Sequence, residues 1–374
     1  MISRNIPFKF PVSVLIGSKP ANILKVIEGY SIDLRYYPKL ILSFIVSCIF
    51  GLMNLWEKVF YKERFNTVTS EEPPVFIVGF WRSGTTLLHS LMCQDPRAGY
   101  VTTFQAVFPN LVLTRNKWMK RFANWALPKK RPFDSYPMDM DFPQEEEFGL
   151  MSLQPKSIYK IFYFPKDCND IHESDLYFER LSDVSRNLWK KEYLNFIDRA
   201  MINTGGERYV SKNPCNIFRI RTLIELFPDA RFIFLYRNPY TVVESLCRFV
   251  NAVLPGSELQ HLEGGLPREY FTRLYKDSLN EYMKVKERIK PGNLMEIRYE
   301  EFKERPVEFL CGIYTKFNIP GIEKALPGME AYLENNHPDT STTYPIAHET
   351  YHLVNEYAGD IVRKLGYPIV ESPQ

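Results

Sequence analysis

The chain has 374 residues and a formal net charge of +3 at pH 7. This length suits one large domain with an appendage, and the nearly balanced charge gives no indication of a nucleic-acid partner. The six cysteines show no Cys-x2-Cys pair and no Cys/His zinc spacing, and residues 1–11 lack the apolar core of a secretory signal. We therefore expect reduced thiols and a cytoplasmic protein.

The first long apolar segment is residues 40–56, in which Ser43, Ser47 and Asn54 are the polar exceptions. Its length lies at the lower limit for a membrane span. A span, an interfacial helix on a membrane surface and a helix buried against the domain are all open. We expect residues 1–66 to form a hydrophobic, helical N-terminal extension and the rest of the chain, 67–374, to form the main domain.

A strand, a tight turn and a helix are predicted over residues 75–90. Four apolar residues, 75–78, suit a buried strand, and the glycine-bounded turn 79–84 leads into a helix that opens with Thr85 and Thr86. Such a turn brings backbone N–H groups and the positive end of a helix dipole to one point. The segment therefore predicts an anion site.

The spacing of this turn, Gly-x4-Gly, is that of a P-loop, with one departure. Thr85 stands where a nucleotide triphosphatase carries its lysine, and Arg82 lies two positions before Gly84. The turn is suited to one phosphate-like group with an arginine beside it.

The elements downstream alternate between helix and strand. Helical spacing over residues 181–201 ends near two glycines, and 209–212 is a short strand. Asn216 is predicted to cap the next helix, and residues 231–236 form another apolar strand. Strand, helix and strand at this spacing predict a parallel sheet with helices on both faces, an α/β fold with ligands at the carboxyl ends of the strands.

A second phosphate site is predicted after the strand 231–236. Arg237 follows that strand directly, and Ser245 lies in the helix expected next. A guanidinium and a hydroxyl can clamp a phosphate, because arginine offers two parallel donors. Two single-phosphate sites at neighbouring strand ends indicate a nucleotide phosphorylated at two separate positions.

These motifs resemble those of one family. Residues 82–86, Arg-Ser-Gly-Thr-Thr, resemble the 5′-phosphosulfate loop of bacterial-type sulfotransferases that use 3′-phosphoadenosine-5′-phosphosulfate (PAPS). Arg237 and Ser245, eight positions apart, resemble the 3′-phosphate clamp, and residues 294–302 resemble a later strand-to-helix segment. The similarity runs from about residue 73 to the C-terminus.

The resemblance implies a P-loop-like sulfotransferase fold for residues 67–374. It implies PAPS as co-substrate, 3′,5′-bisphosphoadenosine as product and a hydroxyl-bearing small molecule as acceptor. The residues that it assigns to cofactor binding are Arg82, Ser83, Gly84, Thr85, Thr86, Arg237 and Ser245.

Sulfuryl transfer is an in-line displacement, which requires positioning, charge neutralisation and removal of the acceptor proton. None of these needs demands a metal. Arg82 is expected to act on the transferring group as well as on the 5′-phosphate. Lys212, at the end of the short strand, is placed like a lysine that several relatives use beside that group; an ordinary surface lysine is the alternative.

Related sulfotransferases use a histidine or a glutamate as general base. One group has its glutamate about twenty residues beyond the loop, where this chain has Gln105, which cannot accept a proton at neutral pH. The carboxylate cluster 145–147 is the stronger candidate, with Glu146 or Glu147 favoured; a solvated helix start is the alternative. Three histidines are weaker candidates: His89, His348 and His352.

Residues 115–131 interleave basic and aromatic side chains. They suit an interfacial segment, a lid over an anionic cofactor or a plain surface helix. Together with residues 40–56 they favour a hydrophobic acceptor, such as a sterol or another lipid alcohol, and contact with a membrane surface. Carbohydrate and phenolic acceptors stay open, as do two rival functions, a P-loop kinase or nucleotide triphosphatase and a non-catalytic nucleotide-binding protein.

Overall fold

The structure is a computed structural model that describes residues 14–60, 72–111, 139–336 and 345–371. The strands in these ranges are β1 (Val75–Val78), β2 (Ala98–Gly99), β3 (Arg208–Lys212), β4 (Arg231–Tyr236) and β5 (Leu294–Arg298). The helices of the N-terminal half are α1 (Pro20–Ile27), α2 (Tyr37–Phe60), α3 (Thr85–Met92), α4 (Thr103–Val107), α5 (Glu146–Leu153), α6 (Cys168–Ile171) and α7 (Asp183–Thr204). Those of the C-terminal half are α8 (Ile220–Leu226), α9 (Pro239–Ser257), α10 (Arg268–Val285), α11 (Tyr299–Glu304), α12 (Pro306–Lys316), α13 (Ile322–Asn335) and α14 (His348–Lys364).

The five strands form one sheet in the order β2-β3-β1-β4-β5, and every pair is parallel. In the register, Ile77 of β1 lies opposite Lys212 of β3 and Val78 lies opposite Phe234 of β4. The carboxyl ends of β3, β1 and β4 therefore meet at one edge of the sheet, and the predicted α/β architecture is confirmed.

Alternate residues of the central strand enter two different cores. Phe76 and Val78 join a large core with α5, α7, α9, α10 and α14. Val75 and Ile77 join a second core with α3, α11, α12 and α13. Because both faces of the sheet are covered, its central strands are apolar without alternation, which is the pattern that the sequence shows.

The N-terminal segment packs on the main body through α1. Ile23 and Val26 are buried in the large core. Ser18 Oγ donates to the carbonyl of Ser152 at 2.8 Å, and Asn22 Nδ2 donates to the carbonyl of Met151 at 3.0 Å. The segment is therefore bonded to the last turn of α5, while the predicted boundary near residue 66 lies outside the described residues and stays a prediction.

The cap predicted at Asn216 is wrong. Asn213 is the capping residue, since its side chain accepts from the Cys215 amide at 3.1 Å and begins the short 3-10 helix Pro214–Arg219 that precedes α8. The Asn216 side chain donates instead to Glu146 at 3.3 Å. The Asn216 side-chain amide therefore bonds a buried carboxylate and does not cap the helix.

Candidate active site

The turn between β1 and α3 takes backbone conformations that few residues tolerate. Arg82 has a φ of 67° and Gly84 a φ of 91°, both left-handed. A Cβ on Gly84 would lie 2.2 Å from the Tyr299 ring, and one on Gly79 would lie 2.4 Å from the Leu235 carbonyl oxygen. Both glycines are needed because the turn passes close to the ends of β4 and β5.

The two predicted phosphate motifs converge. Arg82 Nε donates to Ser245 Oγ at 3.0 Å, and Arg237 Nη1 donates to the Arg82 carbonyl at 3.3 Å. The Arg237 guanidinium also lies over the Tyr299 ring, 4.6 Å from its centroid. The turn after β1 and the helix after β4 therefore form one cationic surface at the start of α3.

The remaining loop residues lie at the start of α3. Ser83 and Thr85 are buried and Thr86 is partly exposed. The Ser83 and Leu87 amides donate to the carbonyls of Phe80 and Gly84 at 3.2 and 3.0 Å, so the amides suited to an anion at this helix start are those of Thr85 and Thr86.

Lys212, at the end of β3, brings a carboxylate to this edge. Its Nζ lies 2.6 Å from Glu145 Oε1, and the Lys212 and Glu145 side chains are 2% and 14% exposed. The Tyr159 hydroxyl donates to the other oxygen of Glu145 and accepts from Trp81 Nε1 at 3.0 Å. The lysine, the carboxylate and the turn after β1 are thus linked through named hydrogen bonds.

Glu146 is fully engaged in the core. Its oxygens accept from Tyr209 at 2.6 Å, from Tyr193 at 2.9 Å and from Asn216. Burial raises the pKa of Glu146 above its usual range, although these hydrogen bonds oppose the effect.

Glu147 forms a buried ion pair. Arg219 donates to both of its oxygens, at 2.6 and 2.9 Å, and Asn213 and Ser157 complete its shell at 2.8 and 2.6 Å. Burial alone would raise the pKa of Glu147, but the Arg219 charge and the hydrogen bonds hold it below its usual range. These contacts describe structural roles for Glu146 and Glu147, whose predicted catalytic role stays untested.

The sequence placed Glu145 in the candidate carboxylate cluster but favoured its two neighbours, and it gave no indication of Tyr159 and Trp81. The run of three glutamates indicated the cluster, but which of the three lies beside Lys212 depends on where α5 begins. Because Glu145 is the N-cap residue, its side chain leaves the helix in a direction different from those of the two residues that follow.

The weaker candidates have other hydrogen-bond or charge partners. His89 is buried with Nε2 donating to the Val210 carbonyl at 3.3 Å, and burial together with the Lys212 charge lowers its pKa to about 3. Gln105 is buried and donates to the Phe196 carbonyl at 2.9 Å. His348 and His352 belong to α14, where His352 forms an exposed ion pair with Glu356.

Two further predictions concern a metal and the basic segment. Within the described ranges, no group of three or more His, Cys, Asp or Glu side chains is placed to hold a metal ion. The segment 115–131 lies outside the described residues, so its expected roles stay predictions.

A parallel sheet with helices on both faces and a glycine-bounded turn after its central strand defines an α/β protein with a P-loop-like fold. The model of the sulfotransferase family matches residues 73–323, and the chain belongs to that family. It is a sulfotransferase, which transfers a sulfuryl group from a sulfonate donor to an acceptor.

The chain is similar to the omega-hydroxy-beta-dihydromenaquinone-9 sulfotransferases Stf3 of Mycobacterium bovis and Mycobacterium tuberculosis. Each is 28% identical over 326 residues, which cover 87% of this chain and 82% of the relative. Among solved structures, sulfotransferase STF9 from Mycobacterium avium aligns over 94% of this chain and 91% of its own, with a TM-score of 0.69 and 17% identity. STF1 from M. tuberculosis aligns over 90% of each chain, with a TM-score of 0.61 and 16% identity. These structures support the sulfotransferase fold.

Proposed function

We propose that this sulfotransferase moves the sulfuryl group of PAPS to a hydroxyl of a lipid alcohol, at the cytoplasmic side of a membrane. The observation that carries the donor assignment is the convergence of Arg82, Ser245 and Arg237. Two cationic subsites on neighbouring strand ends match a nucleotide with phosphates at two positions better than a triphosphate, which places its charges in one row.

The side chains present fit such a donor. Arg82, the first amides of α3 and the hydroxyls of Thr85 and Thr86 would hold the 5′-phosphosulfate. Arg237 and Ser245 would hold the 3′-phosphate. All of these groups can donate hydrogen bonds, as phosphate and sulfate oxygens require.

We assign the general base to Glu145. Lys212 and Tyr159 each donate to one of its oxygens, which sets the orientation of the carboxylate, and an ionised carboxylate can accept a proton. Glu145 takes the proton of the acceptor hydroxyl while that oxygen bonds to sulfur. The sulfur–oxygen bond to the nucleotide breaks, and Arg82 and Lys212 neutralise the charge left on the phosphate oxygen.

A lipid acceptor is supported by the aromatic surroundings of Glu145. Rings of partly exposed Phe148 and Phe162 lie 5.0 and 5.4 Å from the Tyr159 ring, and Trp81 lies 6.4 Å from it. Such rings suit an apolar molecule with one polar end. The Stf3 relatives are named as sulfotransferases of omega-hydroxy-beta-dihydromenaquinone-9, a lipid of the same class.

The test is transfer of ³⁵S from labelled PAPS to a panel of acceptors in detergent micelles. We expect labelling of a long-chain isoprenoid alcohol or quinol that ends in a hydroxyl, and we include a sterol, a phenol and a sugar. Robust labelling of the sugar with none of the lipids would contradict the acceptor assignment. Magnesium-dependent ATP turnover without transfer from PAPS would contradict the donor assignment.

A further inference from the structure

The long helix α2 and the turn before it expose an apolar stripe. We define the stripe by six side chains that are each 52–87% exposed: Leu34, Ile41, Ile45, Ile49, Leu52 and Leu55. Their spacing of three, four or seven residues places them on one face of the helix. The segment Leu34–Leu55 is also the one candidate membrane span in the described part of the chain, by length and composition.

The opposite face of α2 packs on the protein and buries three polar side chains. Ser43, Ser47 and Asn54 are buried, and Ser47 Oγ donates to the Ser18 carbonyl. Lys39 Nζ donates to the Gly256 carbonyl at 2.6 Å. In an ordinary surface helix of a globular protein the apolar face is inside and the polar face outside. Here Leu40, Phe44 and Met53 pack on the protein from the inner side, yet a second apolar face stays on the outside, so an apolar medium is needed there.

We propose that this stripe docks the enzyme on a lipid surface, with α2 lying in the plane of the membrane. Charge favours this occupant. Residues 1–66 hold nine Lys and Arg against four Asp and Glu, whereas the rest of the chain holds slightly more acidic than basic residues. A basic segment is attracted to anionic lipids, but it repels the same segment of a second copy.

The packing of α2 argues for lying on the membrane and against crossing it. The helix is joined to the body at its first turn, through Lys39, and just past its middle, through the Phe50 ring, which lies 4.6 Å from that of Phe108. A span would break these contacts and would leave the hydroxyls and amide of the inner face in hydrocarbon.

The helix that carries the stripe, α2, is linked through residues 18 and 22 to α5, the helix that follows Glu145. Ser47 of α2 bonds the backbone of Ser18, and Ser18 and Asn22 bond carbonyls of α5. These bonds join α2 to the last turn of α5, whereas Glu145 precedes the first turn of the same eight-residue helix. The relation of the stripe to the candidate base rests on the proposed function, while the docking itself does not.

The experiment is flotation of the full-length protein with vesicles of phosphatidylcholine containing one third phosphatidylglycerol. Ile45→Glu combined with Ile49→Glu is expected to lower the bound fraction about tenfold, because two charges enter the apolar layer. Val184→Glu is the matched control, since Val184 is 79% exposed on α7, away from the stripe, and should leave binding unchanged. Binding that is absent, or equal in all three proteins, would overturn the inference.

A label on Cys48 measures how deeply α2 lies in the bilayer. This cysteine is exposed and lies beside the stripe, whereas the other five cysteines are buried or partly buried. An environment-sensitive dye on Cys48 should be quenched most by nitroxides placed high on the lipid acyl chains. Strongest quenching by nitroxides at the bilayer centre would show a span, and a vesicle-independent dimer that Ile45→Glu dissociates would show a second copy; either result overturns the proposal.

Failure of the docking inference can be told apart from failure of the proposed function. Stabilisation by 3′,5′-bisphosphoadenosine should be the same in the Ile45→Glu, Ile49→Glu variant and in the unaltered protein, which also shows that the variant is folded. Stabilisation without vesicle binding removes the docking inference alone. Vesicle binding without stabilisation removes the proposed donor alone.

Discussion

At the residue scale, three consecutive glutamates have three different environments. Glu145 is the one that retains some exposure and meets Lys212, while Glu146 and Glu147 are enclosed by core donors. The three carboxyl groups therefore differ in their neighbouring charges and in their exposure to solvent, and these two factors decide the chemistry of each.

Glu145→Gln is expected to lower kcat for sulfuryl transfer by about 10²–10⁴, the usual contribution of a well-placed base. The affinity for 3′,5′-bisphosphoadenosine should not fall, because Glu145 bonds Lys212 and Tyr159 and is itself assigned to neither phosphate. Single-turnover transfer from PAPS, compared with nucleotide binding, measures both. An unaltered kcat would remove Glu145 from the reaction.

Glu147→Gln is expected to lower the stability of the fold and to leave kcat nearly unchanged. It leaves the Arg219 charge buried without its partner, which costs about 3–5 kcal/mol of unfolding free energy. The kcat of the folded fraction should change little. Denaturant unfolding and active-site titration separate the two quantities, and a large loss of kcat in a stable Glu147→Gln protein would restore the original prediction for this residue.

His89 predicts a pH dependence of stability. Its pKa falls from 6.5 in the unfolded chain to about 3 in the folded one, so between these values the unfolded state binds one proton more. Stability should therefore fall as the pH decreases from 6.5 towards 3, by at most about 1.4 kcal/mol per pH unit from this group. His89→Gln keeps a donor for Val210 and should flatten the slope of unfolding free energy against pH; an identical slope would contradict the assignment.

At the element scale, the segments that sequence reasoning predicted well are those with a local cause. The strand 75–78, its glycine turn and the helix opening with two threonines follow from residues adjacent in sequence, and so does the strand 231–236 with Arg237. The predicted strand-to-helix segment at 294–302 is likewise confirmed as β5 followed by α11.

The features that were not predicted depend on partners distant in sequence. Asn216 donates a hydrogen bond to Glu146, which lies 70 positions earlier in the chain, and does not cap the helix as expected. The choice among residues 145–147 depends on Lys212 and Arg219. The apolar run 40–56 was visible, but no local pattern showed that its serines would face the protein and its isoleucines would face outward.

Gly84→Ala tests whether the backbone of the turn between β1 and α3 is needed for nucleotide binding. The new methyl group would meet the Tyr299 ring at 2.2 Å in a left-handed backbone, so the turn must shift and affinity for 3′,5′-bisphosphoadenosine should fall at least tenfold. Gly29→Ala is the matched control, because Gly29 has a similar φ of 85° with nothing within 4 Å of its added Cβ. Equal nucleotide affinity in both variants would contradict a role for the turn.

At the scale of the whole molecule, the N-terminal segment and the body that carries the site share one core. Ile23→Ala, in α1, is expected to lower the unfolding free energy of the entire chain by about 2–5 kcal/mol, because Ile23 is fully buried in that core. The neighbouring Leu24→Ala is the control, since Leu24 is 55% exposed. A separate, earlier transition for residues 14–60 in hydrogen exchange, with the main transition unmoved, would show an independent extension.

At the scale of the whole molecule we propose that one edge of the sheet, at the ends of β1 and β4, holds the two phosphates of a sulfuryl donor nucleotide on one joined cationic surface. The most direct test is the thermal unfolding midpoint with 3′,5′-bisphosphoadenosine, with ATP and magnesium as the comparison. At a hundred times its Kd the bisphosphate should add about 2.7 kcal/mol of stability, and Arg237→Ala should remove most of that gain. Stabilisation by ATP with magnesium alone would contradict the account.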